Sequence, residues 1–256
     1  MIEAVHAEWT KLRTLPSTGW LVLMAIALIV GAGAMTTSIV KCPASCGEDP
    51  TKLSLTGIML GQAAVAILAV LMVSGEYSTG MIRVTLAAMP RRLTVLAAKA
   101  VTLAGLVLAA GAAGVLASML AGRLLLPGRG FTAARGYPAL SLTDGSDLRA
   151  VCGSVLYLAL VALLALGLAT AVRDSAVSIG LTLGLLYLFP VIASALGPNW
   201  SRHLQQIGPM SAGLTIQATA GLRALPLTPW QGLGVLALWA AAALTAGALA
   251  LRLRDA

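Results

Sequence analysis

The sequence predicts an all-α, polytopic membrane protein, on three observations. Of 256 residues, 59% are hydrophobic and only 10% are charged, well under the roughly one quarter of charged residues usual in soluble domains. The charges are also widely spaced. The intervals Arg13 to Lys41, Lys52 to Glu76, Lys99 to Arg123, Arg149 to Arg173, Asp174 to Arg202 and Arg223 to Arg252 enclose uncharged runs of 27, 23, 23, 23, 27 and 28 residues. Crossing ~30 Å of hydrocarbon takes ~20 apolar helical residues, so each run is long enough to span. Finally, the runs are continuously apolar and rich in Leu and Ala, whereas barrel strands alternate apolar with polar residues.

The elements follow in order. Residues 1–18 form an N-terminal interfacial helix, because Ile2, Val5, Trp9 and Leu12 recur on one helical stripe opposite Glu3, Glu8, Lys11 and Arg13. An ordinary solvated leader is the other reading, and Trp9 on the apolar stripe favours the interface. Pro16 breaks that helix. The first run begins behind this charged amphipathic stretch and offers no clear short hydrophobic core with a cleavage site, so it is expected to be retained as a span. The expected spans are 19–40, 53–75, 100–122, 150–172, 175–197 and 230–251. With no separate soluble domain, residues 1–256 form a single transmembrane unit.

Six spans put both termini on one side. A cytoplasmic N-terminus gives nine inner cations against eight outer ones. The clusters Arg91-Arg92 and Arg252/Arg254 lie close to inner span ends, which points to a multi-pass protein of the cell membrane with both termini cytoplasmic. Cys42 and Cys46 then lie outside, in a short loop where they form a disulfide or remain two unrelated thiols. Cys152 is expected as a free packing residue. Residues 198–229, with Gln205, Gln206, Gln217 and a Gly208-Pro209 break, are too polar for a span and read as an outer or re-entrant region between Trp200 and Trp230.

Several chemistries lack their residues. Every Asp, Glu, Lys, Arg and His lies outside the six runs, which removes the usual signature of proton-coupled carriage. Gln62, the strongest polar residue inside a span, is expected to form an interhelical hydrogen bond. His6 and His203 fall on opposite sides, Asp144 and Asp147 sit in ordinary turn chemistry, and no phosphate-binding loop exists. The chain is therefore expected not to be an enzyme and to hold no cofactor or metal. Its 17 basic residues are scattered, with no stripe for nucleic acid, so membrane lipid is their expected partner.

The loop between spans two and three carries the distinctive pattern. It runs from Gly75-Glu76 through Thr79, Gly80, Ile82, Arg83, Leu86 and Met89 to Pro90-Arg91-Arg92. Thr79 can cap a short helix that Pro90 ends, with Ile82, Leu86 and Met89 on one face. That face either enters a groove on a soluble partner or lies on headgroups. Together with Ala7-Glu8-Trp9-Thr10-Lys11-Leu12-Arg13 before span one and Lys99 before span three, the loop resembles the permease subunits of type 2 ATP-binding-cassette (ABC) transporters, in particular the small six-span exporters of actinobacteria. The resemblance runs over essentially the whole chain.

It implies a coupling helix after span two that docks on an ATPase. Glu76, Gly80, Ile82, Arg83, Leu86, Met89 and Arg91 would be the coupling residues. ATP and Mg would be bound by the separate ATPase subunit, and a second permease subunit would complete a homo- or heterodimer that exports a substrate the resemblance does not choose. A non-transporting membrane scaffold that anchors a soluble complex is the alternative.

Overall fold

A computed structural model describes residues 2–42, 46–78, 80, 92–137, 140–195 and 198–254. Among them every regular element is helical: α1 (Ile2–Thr14), α2 (Pro16–Ile39), α3 (Pro50–Leu55), α4 (Ile58–Ser78), α5 (Arg92–Leu125), α6 (Gly145–Val172), α7 (Ser175–Leu183), α8 (Phe189–Ala195), α9 (Pro198–Ile207), α10 (Pro209–Gly213) and α11 (Pro229–Arg254). Six stretches are long and apolar enough to cross a membrane: Pro16–Ile39, Pro50–Tyr77, Leu93–Leu125, Gly145–Val172, Ser175–Ala193 and Pro229–Leu253.

Proline sets five of these eleven starts. Pro16, Pro50, Pro198, Pro209 and Pro229 each open a helix, where the missing N–H would have had no partner anyway. Flanking charges do not end the helices, so the third span runs from Arg92 to Leu125 rather than 100–122 and takes in Lys99 and Arg123. The fourth begins at Gly145 rather than residue 150. The fifth is a composite, with a π turn at Gly184–Leu188 joining α7 to α8. Pro190 has no N–H for the carbonyl of Leu186, and the helix widens there to re-pair its backbone.

α6 is buried nearly all round and forms the axis of the bundle, as its uniformly apolar circumference requires. It meets α11 closely, because Gly167 lies directly against the backbone of Ala243 and Leu244. On the opposite flank Ile29 of α2 sits in a socket formed by Gly57 and Gly61 beside and within α4 and by Gly114 of α5. Gly111 of α5 faces Leu158, whereas Gly105 faces open space. Small residues thus let helices approach where no hydrophobic effect drives them together. Gln62 is fully buried and accepts a hydrogen bond from the Tyr157 hydroxyl of α6, while its amide faces Met210 Sδ at 3.3 Å.

The segment 198–217 folds back beside α11. Trp239, about 15 Å along α11 from Pro229, donates from its indole to the Ile207 carbonyl at 2.9 Å. Met210, Ala212 and Ile216 of this segment are buried. Cys152 departs from expectation: it is free and exposed on α6 rather than packed inside.

Candidate functional site

Four charged side chains converge at the end of the bundle that holds α1. Glu8 and Lys11 lie one helical turn apart on α1, Glu76 is near the end of α4, and Lys99 is two turns into α5. Lys99 Nζ donates to Glu8 Oε2 at 2.8 Å and to Glu76 Oε1 at 2.6 Å. Lys11 Nζ donates to Glu8 Oε1 at 3.0 Å and to Glu76 Oε1 at 2.9 Å. Glu8, Glu76 and Lys99 are buried, and the Lys11 side chain is one third exposed. Two carboxylates and two ammoniums cancel, which is the condition under which charges tolerate burial.

The quartet re-orients α1. The buried face is Ala4, Glu8 and Leu12, with Val5 and Lys11 half-buried, while Trp9 is exposed. The sequence stripe had set Glu8 and Lys11 on the solvent side. Lys99 overrides that pattern, because an ammonium carried on a span helix needs carboxylates and α1 supplies one of the two.

Burial works against the Lys11 ammonium, but hydrogen bonds and charge from Glu76 and Glu8 outweigh it and hold its pKa above 10.5. Its contribution to the clamp is therefore complete below the ordinary lysine range and is lost only as pH rises through the raised value. The arrangement is mechanical rather than catalytic. It ties α1 to the two helices that flank residues 79–91.

The tie continues into the other half of the bundle. Next to Glu76, Tyr77 lies under the Arg173 guanidinium, 5.4 Å from carbon to ring centroid, a cation–π distance. Arg173 caps α6 in a left-handed conformation, φ 69°, and donates to the Ala250 carbonyl of α11 at 3.1 Å. The ends of α4, α6 and α11 thus meet on the side that carries α1, so both described chain ends lie on one side of the bundle.

Of the residues expected to couple, Glu76 is a member of the quartet. Gly80 follows α4 at φ 73°, its N–H bonded to the Tyr77 carbonyl at 3.3 Å, as a helix stop requires. Ile82, Arg83, Leu86, Met89 and Arg91 lie outside the described residues.

At the opposite end Cys42 and Cys46 are placed together as a disulfide, with Cα atoms 5.7 Å apart. Arg135 donates to the Cys42 carbonyl at 2.7 Å. A second buried network lies alongside. Asp49 accepts from Thr51 N and Lys52 N of α3, from Thr219 N and Oγ1, and from Ala220 N. Asp147, which the sequence places in ordinary turn chemistry, is buried and accepts from Thr51 Oγ1 at 2.6 Å and Ser141 N at 3.1 Å. These contacts pin the outgoing end of the folded-back segment to the start of the second span.

Sequence reasoning treated Lys99 as a span boundary and Glu8 as part of the polar face of the N-terminal helix, and missed their partnership. The available signal was opposite charge at three neighbouring segment ends, with Glu8 and Lys11 three apart. No protein-family model matches the chain, and no curated protein is significantly similar to it.

Proposed function

We propose that this chain is the permease subunit of a type 2 ABC exporter, working in the cell membrane with a separate ATPase subunit and a second permease, both termini cytoplasmic. One observation carries the reading: the quartet fastens to α1 both helices that flank residues 79–91. A push on that segment is then delivered to a braced unit rather than absorbed by a loose loop. In this reading ATP and Mg bind the partner, closure of the ATPase dimer moves the segment, and the spans alternate access to a central path. Glu76 braces the segment from inside the bundle. Gly80, Ile82, Arg83, Leu86, Met89 and Arg91 meet the partner or shape the part that does.

The test is Leu86→Asp. A carboxylate at the centre of the Ile82/Leu86/Met89 face, buried unpaired in an apolar groove, costs several kcal/mol, roughly enough to weaken docking by more than tenfold. The variant is expected to reach the membrane at near-normal abundance, to lose copurification with its ATPase partner, and to stop transport. Thr94→Asp, beyond Pro90, should be milder. Retained ATPase binding and transport in Leu86→Asp would place docking elsewhere. A complex that forms but never hydrolyses ATP would favour the scaffold.

Orientation is tested separately. In intact cells, after mild reduction, an impermeant thiol reagent should label Cys42 and Cys46 but not a cysteine introduced by Thr85→Cys. Labelling at position 85 alone would invert the topology.

A further inference from the structure

Beside the quartet, α1, α2 and α4 enclose a cleft of about 510 Å³, a size typical of sites for ligands of drug or lipid-chain dimensions. Its two ends differ in chemistry. One end is apolar, made by Leu21 of α2 and Leu68, Leu71 and Met72 of α4. By helical rise, Leu68 lies ~12 Å along α4 from Glu76. The other end is polar, with Lys11, Thr14 and Ser17 at the joint between α1 and α2.

The mouth shows where an occupant comes from. Leu71 is 40% exposed and Leu15 53% exposed; both line the cleft, Leu71 on the outer flank of the span helix α4 and Leu15 at the joint that leads into α2, so the opening faces the hydrocarbon rather than an interior path. A void of this size left empty would forfeit dispersion contacts along its whole lining.

We propose that the cleft is a binding site for one phospholipid of the leaflet on the N-terminal side, with an acyl chain against Leu21, Leu68, Leu71 and Met72 and the phosphodiester at the polar end. Lys11 spends two N–H donors on Glu8 and Glu76, which leaves the third of its ammonium donors for a phosphate oxygen. Ser17 adds a hydroxyl, whereas the Thr14 hydroxyl is already donated to the Thr10 carbonyl at 3.0 Å. The first turn of α2 has no side-chain cap and no acidic residue, so its amide end favours an anion as well. Glu8 and Glu76 also line the cleft, but the two lysines neutralise them, and phosphate does not meet net negative charge. The lipid would fill the angle between α1 and the spans and hold α1 against the bundle. This proposal is independent of the transport reading.

Gly75 supplies the test, because it lines the cleft and a Cβ there meets nothing within 4 Å. Gly75→Phe therefore introduces a ring at the cleft without a clash at its Cβ. The full-length protein, in bilayer vesicles containing a phosphatidylglycerol with a photoactivatable acyl chain, is irradiated and digested. In the unaltered protein the label should fall on peptides covering 15–21 and 68–76. Gly75→Phe should reduce that labelling about tenfold, the loss expected from unburying two methylenes. Gly105→Phe, also facing open space but outside the cleft, should not change it. A photoactivatable diacylglycerol of the same chain length should label these peptides about tenfold less than the phospholipid. Label spread evenly over the apolar helices of the unaltered protein, undiminished labelling in Gly75→Phe, or equal labelling by diacylglycerol would each overturn the proposal.

Discussion

Lys99→Met should be among the most destabilising single substitutions in the chain, costing about 3–5 kcal/mol. Lys99 is 3% exposed and is held by two carboxylates, Glu8 and Glu76, which are themselves buried. Its loss leaves those two carboxylates with only Lys11, so one negative charge stays buried without compensation. The protein can then protonate a carboxylate, admit water, or release α1. Release is the cheapest, because only a few contacts beyond the quartet, notably Ala4 and Leu12, hold α1 to the bundle. Detergent-solubilised Lys99→Met should unfold on the order of 10 °C below the unaltered protein, and a protease should cut within residues 1–15 far sooner.

The double variant Lys99→Met/Glu76→Gln separates charge balance from lost packing. It leaves Glu8 facing Lys11, one charge of each sign, and should recover more than half of the lost stability although it carries the larger chemical change. Such non-additivity is what neighbouring charges in one network produce. If the double variant is no more stable than the single one, the quartet acts through side-chain packing, and the argument from uncompensated charge fails.

How much of this was legible in the sequence follows from which forces are local. Membrane spanning depends on the apolar character of ~20 consecutive residues, and the six charge-free runs located six spans, with prolines marking three of their starts. The helix ends were less legible. Lys99 and Arg123 were taken as the limits of the third span, yet both lie inside α5, because a charge at a helix end is tolerated wherever it reaches a partner or water.

The candidate site was legible only in its parts. Glu8, Lys11, Glu76 and Lys99 all stand in the segments that carried the resemblance, but they are up to 91 positions apart, and periodicity assigns a face to each helix singly. On α1 the apolar stripe put Glu8 outside. Nothing local to α1 reveals that α5 presents an ammonium to it. Asp147 was misread for the same reason: Thr51 Oγ1, which donates to it, lies 96 residues away.

The last expected result concerns Gly57, where the contact is with backbone and cannot yield. Gly57 follows α3 and precedes α4, and a Cβ there would lie within bonding range of the Ile29 carbonyl oxygen and 2.8 Å from the Gly33 nitrogen. Both atoms belong to α2, so a larger residue can be accommodated only if α2 and α4 separate. Separation would also empty the socket in which Ile29, 1% exposed, is held by Gly61 and Gly114. Gly57→Val should therefore cost at least the ~1–3 kcal/mol of ordinary overpacking, and more because no side-chain rotation relieves it. The same reasoning ranks the other glycines. Gly114→Ala meets only the Ile29 side chain, at 3.2 Å from Cδ1, and a small rotamer shift should absorb most of it. Gly105→Ala meets nothing and should be neutral or stabilising by about 0.5–1 kcal/mol, since alanine is the better helix former. The order in thermal stability is then Gly105→Ala above Gly114→Ala above Gly57→Val. A Gly57→Val protein that melts with the unaltered one would mean that α2 and α4 are not in backbone contact at this crossing.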